Sequence, residues 1–138
     1  MKKLTPLYLI LATLLILINS SFSPVEHGMY AQLLGNKKFV IQIVPDKTYS
    51  NVVVHVNFYS ANNKRVGQKA YSFSDGKDKY IRKDVVNSKT FKFDFDDVSR
   101  VKIDHVNENE ILGEDGESKG GTKLNLPIVD HALEPVGK

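Results

Sequence analysis

Val52, Val54, Val56 and Phe58 take every second position of one stretch, with Val53, His55, Asn57 and Tyr59 between them. Successive side chains of an extended chain point to opposite faces, so this stretch buries one face and turns the other outward. The same period of two recurs. Phe39, Ile41 and Ile43 alternate with Val40 and Gln42 until Pro45. Tyr71 and Phe73 alternate with Ser72 and Ser74; Phe91, Phe93 and Phe95 with Lys92 and Asp94; Val101 and Ile103 with Lys102 and Asp104. Leu124, Leu126 and Ile128 close the series around Asn125 and Pro127. No helical spacing of useful length interrupts it. About six one-faced strands need a second sheet over their apolar sides, which predicts an all-β, two-layer antiparallel β-sandwich of immunoglobulin-like kind.

Turn chemistry supports this layout. Ala61-Asn62-Asn63-Lys64 joins the second and third strands, because Asn accepts the left-handed backbone angles of tight turns. Gly67 suggests a bulge, since strict alternation would turn Lys69 inward. Asp75-Gly76-Lys77-Asp78 closes the third strand. Between the Phe-rich strand and the Val101 strand, cross-strand pairs choose a register. Phe93 opposite Ile103 sets Asp94 against Lys102 and Lys92 against Asp104, with a loop around Asp96 to Arg100. Phe93 opposite Val101 would face Lys92 with Lys102.

Asn107 to Lys123 (NENEILGEDGESKGGTK) is polar and without period, and reads as a mobile acidic loop. Residues 124–128 then form an edge strand, because Pro127 has no N–H for a ladder. This strand either closes its own sandwich or pairs with another chain. The sandwich domain is expected over residues 38–130, after a linker at 24–37 and before a tail at 131–138.

The first 23 residues read as an export signal. Lys2 and Lys3 precede an apolar run from Leu7 to Ile18, broken only by Thr13, and Asn19-Ser20-Ser21 restores polarity. This predicts a protein working outside the cytoplasm, periplasmic or secreted. Ser21 and Ser23 supply small residues for cleavage, but Pro24 would follow the cut; cuts after Ser21 or Gly28 put Asn19 or Glu26 three places before. The alternative is an uncleaved tether over residues 4–22, the only membrane contact expected. No cysteine follows the run, so a lipoprotein anchor is excluded. With no cysteine at all, an exported domain of this size must rely on its core rather than on disulfides.

The charge of +3 is largely that of the leader. Without Lys2 and Lys3, 17 basic residues face 16 acidic ones. A near-neutral domain has no global field to hold nucleic acid, and none is expected as a partner.

The segment from Val52 to Gly67 (VVVHVNFYSANNKRVG) resembles the short motif of FxLYD-type and related bacterial immunoglobulin-like domains. In those an alternating strand ends in Phe-Tyr, a turn follows, and a Val-Gly pair starts the next strand. The resemblance implies an exported β-sandwich. It covers 16 residues and departs at Lys64, where a Gly after Asn63 belongs to the pattern. A Pro-Gly-Glu step before the Phe-rich strand is also lacking.

Candidate chemistry is sparse. Of four histidines, His27, His55, His105 and His131, the pair His55 and His105 lies at strand positions where a third converging ligand would make a metal site; two isolated histidines are the plainer reading. Asp94, Asp96 and Asp97 would serve glycoside hydrolysis if a cleft held them at a suitable separation; otherwise they are a strand residue and turn formers. Calcium would use this loop or the Glu108–Glu117 arm, without EF-hand spacing. Nucleophilic catalysis lacks both a cysteine and a Gly-x-Ser-x-Gly elbow, and Gly113, Gly116, Gly120 and Gly121 lie in an acidic arm whose carboxylates would repel phosphate. Tyr59, beside Asn57 and His55, gives the polar face an amphipathic ring of the kind enriched at binding surfaces. No catalytic residue, metal or cofactor is assigned. The expected role is a non-enzymatic exported module binding a protein or cell-surface partner. The alternatives are a subunit exchanging strand 124–128, and a hydrolase using Asp94, Asp96 and Asp97.

Overall fold

A computed structural model describes residues 25–134; the expected signal or tether over 1–23 lies outside them, as does the end of the tail. The described chain is all-β, with one 3₁₀ turn at Gly76–Asp78. Its strands are β1 (Gly28–Leu34), β2 (Lys38–Val44), β3 (Tyr49–Ser50), β4 (Val53–Tyr59) and β5 (Arg65–Ser72). Then come β6 (Tyr80–Ile81), β7 (Asn87–Lys92), β8 (Arg100–Leu112) and β9 (Ser118–Lys123). They form antiparallel sheets in the orders β1-β2-β7, β3-β6 and β5-β4-β8-β9. Among the described residues no helix is long and apolar enough to cross a membrane.

The alternating residues make the core. Phe39, Ile41 and Ile43 of β2 and Val54, Val56 and Phe58 of β4 are fully buried in one cluster, joined by Tyr71, Phe73, Val101 and Ile103. Aromatic edges tie the larger sheets together. The Phe39 ring meets Phe58 at 5.6 Å and Tyr71 at 5.1 Å, both edge-on, and lies 5.6 Å from Phe91. Such geometry sets the positive ring edge against a negative face.

A bulge does lie beside Gly67, but it does not turn Lys69. Lys69 pairs with Val56 in phase with Tyr71 and stays exposed on this edge strand, with its ammonium 5.2 Å from the Tyr71 ring centroid. Phe58 pairs with Gly67 and Tyr59 with Arg65, so Val66 is the extra residue. A β-carbon on Gly67 would lie 2.5 Å from the Phe95 ring, whose centroid is itself 4.9 Å from that of Phe58. Gly67→Ala is therefore expected to destabilise the fold by about 2 kcal/mol, the cost of displacing a packed ring. Urea denaturation checks this, and Phe95→Leu in the same chain should recover at least half the loss.

Four sequence expectations are corrected. Residues 28–34, read as linker, form β1. Its alternation is weak because Ala31 and Leu33 are only partly buried. The Gly35-Asn36-Lys37 hairpin, with Asn36 and Lys37 both at positive φ, was the local signal. Residues 107–123 are the hairpin β8–β9, not a patternless loop. Glu110 pairs with Gly120 and Leu112 with Ser118, around a turn where the Gly113 N–H bonds the Glu117 carbonyl at 2.7 Å. Every residue of β9 is exposed, so no apolar period marks it.

The register of Phe93 against Ile103 does not exist: β7 pairs with β2, Phe39 opposite Phe91, while β8 pairs with β4 and β9. Phe93 to Ser99 crosses between sheets instead of closing a hairpin. Finally, Leu124 to Ile128 is no regular strand. It makes one parallel bridge, Met29 with Ile128, where the Met29 N–H bonds the Pro127 carbonyl and Val129 N–H bonds the Met29 carbonyl. This segment lies against its own β1. His131 continues it, bonding Glu26 Oε1 at 2.6 Å.

Candidate functional site

The outer face of the four-stranded sheet carries a cluster of two histidines, two carboxylates and two asparagines. Direct partners share a face, so β4 sets His55 between Ala70 and His105, Asn57 between Gln68 and Lys102, and Tyr59 between Arg65 and Arg100. A second bulge completes it. His55 pairs with His105 but Val56 with Ile103, leaving Asp104 as the extra residue of β8. Strict alternation from Val101 and Ile103 would send His105 into the core. The bulge turns Asp104 and His105 outward together while Val106 returns inside.

The rings of His55 and His105 stack at 4.2 Å with 12° between their planes. Each holds a carboxylate. His55 Nε2 donates to both oxygens of Glu110, at 2.9 and 3.0 Å, and His105 Nδ1 donates to Asp104 Oδ2 at 2.6 Å. Glu110 is enclosed, its side chain 1% exposed, and Asn107 Nδ2 also donates to it at 2.6 Å. Glycine at 121, with φ of 106°, leaves the space: a β-carbon there would sit 3.2 Å from that of Glu110. Burial pushes the Glu110 carboxyl up, but hydrogen bonds from His55, Asn107 and Ser118, with the His55 charge, hold it below the ordinary value. Asp104 is likewise held low, first by the His105 hydrogen bond. Asn57 Nδ2 reaches Asp104 at 3.4 Å, while its Oδ1 is buried without a partner.

Each imidazole is thus committed to a carboxylate. Imidazole lone pairs lie in the ring planes, so two near-parallel rings do not aim them at one metal ion. Among the described residues no three His, Cys, Asp or Glu side chains converge on a cation position. Among the described residues, no hydroxyl or amine is held by the His55 or His105 ring. Spacing placed His55 and His105 on strands, while Glu110 was read only as part of the Glu108–Glu117 arm offered for calcium, and nothing local marks its meeting with His55.

The other sequence candidates lie elsewhere. Lys37 Nζ binds Asp96 at 2.9 Å and approaches Asp94 at 3.6 Å, and both carboxylates stand in solvent. That hydrogen bond raises the Lys37 pKa. Asp97 lies in the adjoining loop at positive φ. His27 pairs with Asp84 at 2.7 Å. In the Glu108–Glu117 arm, the acidic residues Glu114, Asp115 and Glu117 occupy the hairpin turn, away from buried Glu110.

At the opposite end of the face, cations gather on Tyr59. The Arg100 guanidinium lies 5.2 Å from the ring centroid and the Lys102 ammonium 5.7 Å, while Arg100 Nη2 donates to Asn63 Oδ1. Arg65 flanks the ring from β5. Among the described residues, the lysine or arginine contacts with carboxylates within 4 Å are those of Lys37. Arg65, Arg100 and Lys102 thus keep their charges unpaired. The last two also line an open groove of about 830 Å³ beside Tyr30, Ile128 and His131. Comparison with protein-family models, curated proteins and solved structures gives no match.

Proposed function

We propose that this chain is an exported, non-catalytic module, a two-layer immunoglobulin-like β-sandwich, that binds a protein partner through the Tyr59 end of its four-stranded face. The observation supporting this is the set of unpaired cations arranged on an aromatic ring. Cation–π contacts hold Arg100 and Lys102 in place before a partner arrives, which lowers the ordering cost of binding. Arg and Tyr are residues on which interfaces concentrate their energy. The adjacent histidine–carboxylate cluster stiffens the strand pair presenting them. The leader over residues 1–23 delivers the module to the periplasm or exterior.

Photo-crosslinking in the producing cell tests this reading. A benzoylphenylalanine at position 59 keeps an aromatic ring and is expected to give a discrete adduct. The same probe at Thr90, exposed on β7 of the other sheet, should not. Equal labelling from both sites, or none from position 59, overturns the reading.

A further inference from the structure

The cationic face has a counterpart on the same chain that it cannot reach. The β8–β9 turn carries Glu114, Asp115 and Glu117, all exposed. The turn is well built. Gly113 N–H bonds the Glu117 carbonyl at 2.7 Å, Gly116 N–H bonds the Gly113 carbonyl at 3.1 Å, and Glu117 N–H bonds Asp115 Oδ1 at 3.1 Å. Gly116 supplies the positive φ of 85°. Among the described residues these three carboxylates have no cation within 4 Å. The hairpin extends past the end of β4, whose last partner on β8 is Asn107. Exposed Ile111, at 69%, adds apolar surface to it.

Arg100 begins β8 and Leu112 ends it, a strand of 13 residues. At roughly 3.3 Å per residue, the cations and the acidic turn stand about 40 Å apart. No side chain spans that distance, so the two surfaces meet only between molecules. We infer that the acidic β8–β9 turn of one copy docks on the Arg65–Tyr59–Arg100–Lys102 face of another, joining copies head to tail. The inference rests on the reading of that face as a binding surface and names its occupant.

Charge and spacing agree. Arg100 and Lys102 lie two residues apart on one strand, as Asp115 and Glu117 do along the turn. Lys37 already shows a cation of this chain engaging two acids spaced that way, Asp94 and Asp96. The nearby carboxylates leave the face positive. Asp104 is engaged by His105 and Asn57, Asp130 on the groove that Arg100 and Lys102 line faces His131 at 3.5 Å, and Asp97 shares the neighbouring groove with Lys64. Unlike surfaces joined in this way form rings or open filaments rather than two-fold dimers.

The absence of cysteine allows a direct test. The full chain carrying Lys119→Cys and Gln68→Cys, one at each surface, is oxidised in nonionic detergent, which keeps apolar leaders apart. A ladder of disulfide-linked multimers is expected at low salt. It should fall about tenfold in roughly 0.5 M salt, where screening acts over a few ångströms. Reversing the turn (E114K, D115K, E117K) should abolish the ladder, as should reversing the face (R65E, R100E, K102E). Mixing the two reversed chains should restore it. Monomer alone at low salt, or a ladder indifferent to salt and charge reversal, overturns the inference. If the ladder is absent while position 59 captures a different protein, only the self-docking fails and the binding face stands. If both are absent, both readings fail.

Discussion

Phe39→Ala is expected to destabilise the protein by about 4 kcal/mol, the middle of the range for removing a buried ring. Phe39 is fully buried in β2, at the centre of the aromatic contacts between the larger sheets. Its loss leaves a cavity bordered by Phe58, Tyr71, Phe91 and Phe93, which belong to strands and connections of different sheets. Those rings cannot all collapse into the space without moving a sheet. No disulfide limits the unfolded chain, because there is no cysteine. Urea denaturation followed by tyrosine fluorescence measures the loss. Phe39→Leu should retain more than half of the stability, and a cost below about 1 kcal/mol for Phe39→Ala would contradict this account of the core.

The second large effect belongs to the histidine–carboxylate cluster. His55→Leu is expected to cost about 3 kcal/mol at neutral pH, because it strands the Glu110 carboxylate in an enclosed site. Asn107 and Ser118 remain as donors and keep the cost from rising further. Replacing both partners, His55→Leu with Glu110→Leu, should recover most of the loss, since apolar residues of similar volume need no compensation there. The acid limb supplies the sign. The folded Glu110 carboxyl lies below its ordinary value of 4.5, so its contribution is complete above 4.5 and is lost as pH falls through the folded value. Glu110→Gln removes that dependence. The stability difference between wild type and Glu110→Gln should therefore shrink as pH drops from 5 toward 3. A constant difference across that range would show that Glu110 is not held ionised by its neighbours.

The legible parts of this chain were those where local pattern and burial coincide. β2 and β4 carry apolar alternation because one side of each lies against the core, and β5 carries it only at its Tyr71 end. The Asn63 turn was legible because its positive φ selects residue type, whereas Gly67 is required by the Phe95 ring packed against it, a contact that no local pattern announces. β1 and β9 were not. An edge strand packed only in part, and a hairpin strand packed on neither side, carry no periodic apolar signal. Their marks were the turns Gly35-Asn36 and Asp115-Gly116, whose sequences allow a hairpin without requiring one.

By itself, the sequence determined that the chain forms β-strands with apolar inner faces, and that His55, Asn57 and Tyr59 lie on an outer face. Partner choice came only from the tertiary structure. The Phe-rich strand joined β2 and the Val101 strand joined β4, because packing rings between sheets outweighs two cross-strand charge pairs worth less than about 1 kcal/mol each. The Asp104 bulge was decided the same way. It sets His105 on His55 and keeps Val106 in the core, a compromise between burying valine and keeping imidazole outside. The meeting of Glu110 with His55, 55 residues apart in the chain, follows from that register and from the space over Gly121. Burial and hydrogen bonding act across strands, and a period of two records only which face a residue takes, not what it meets there.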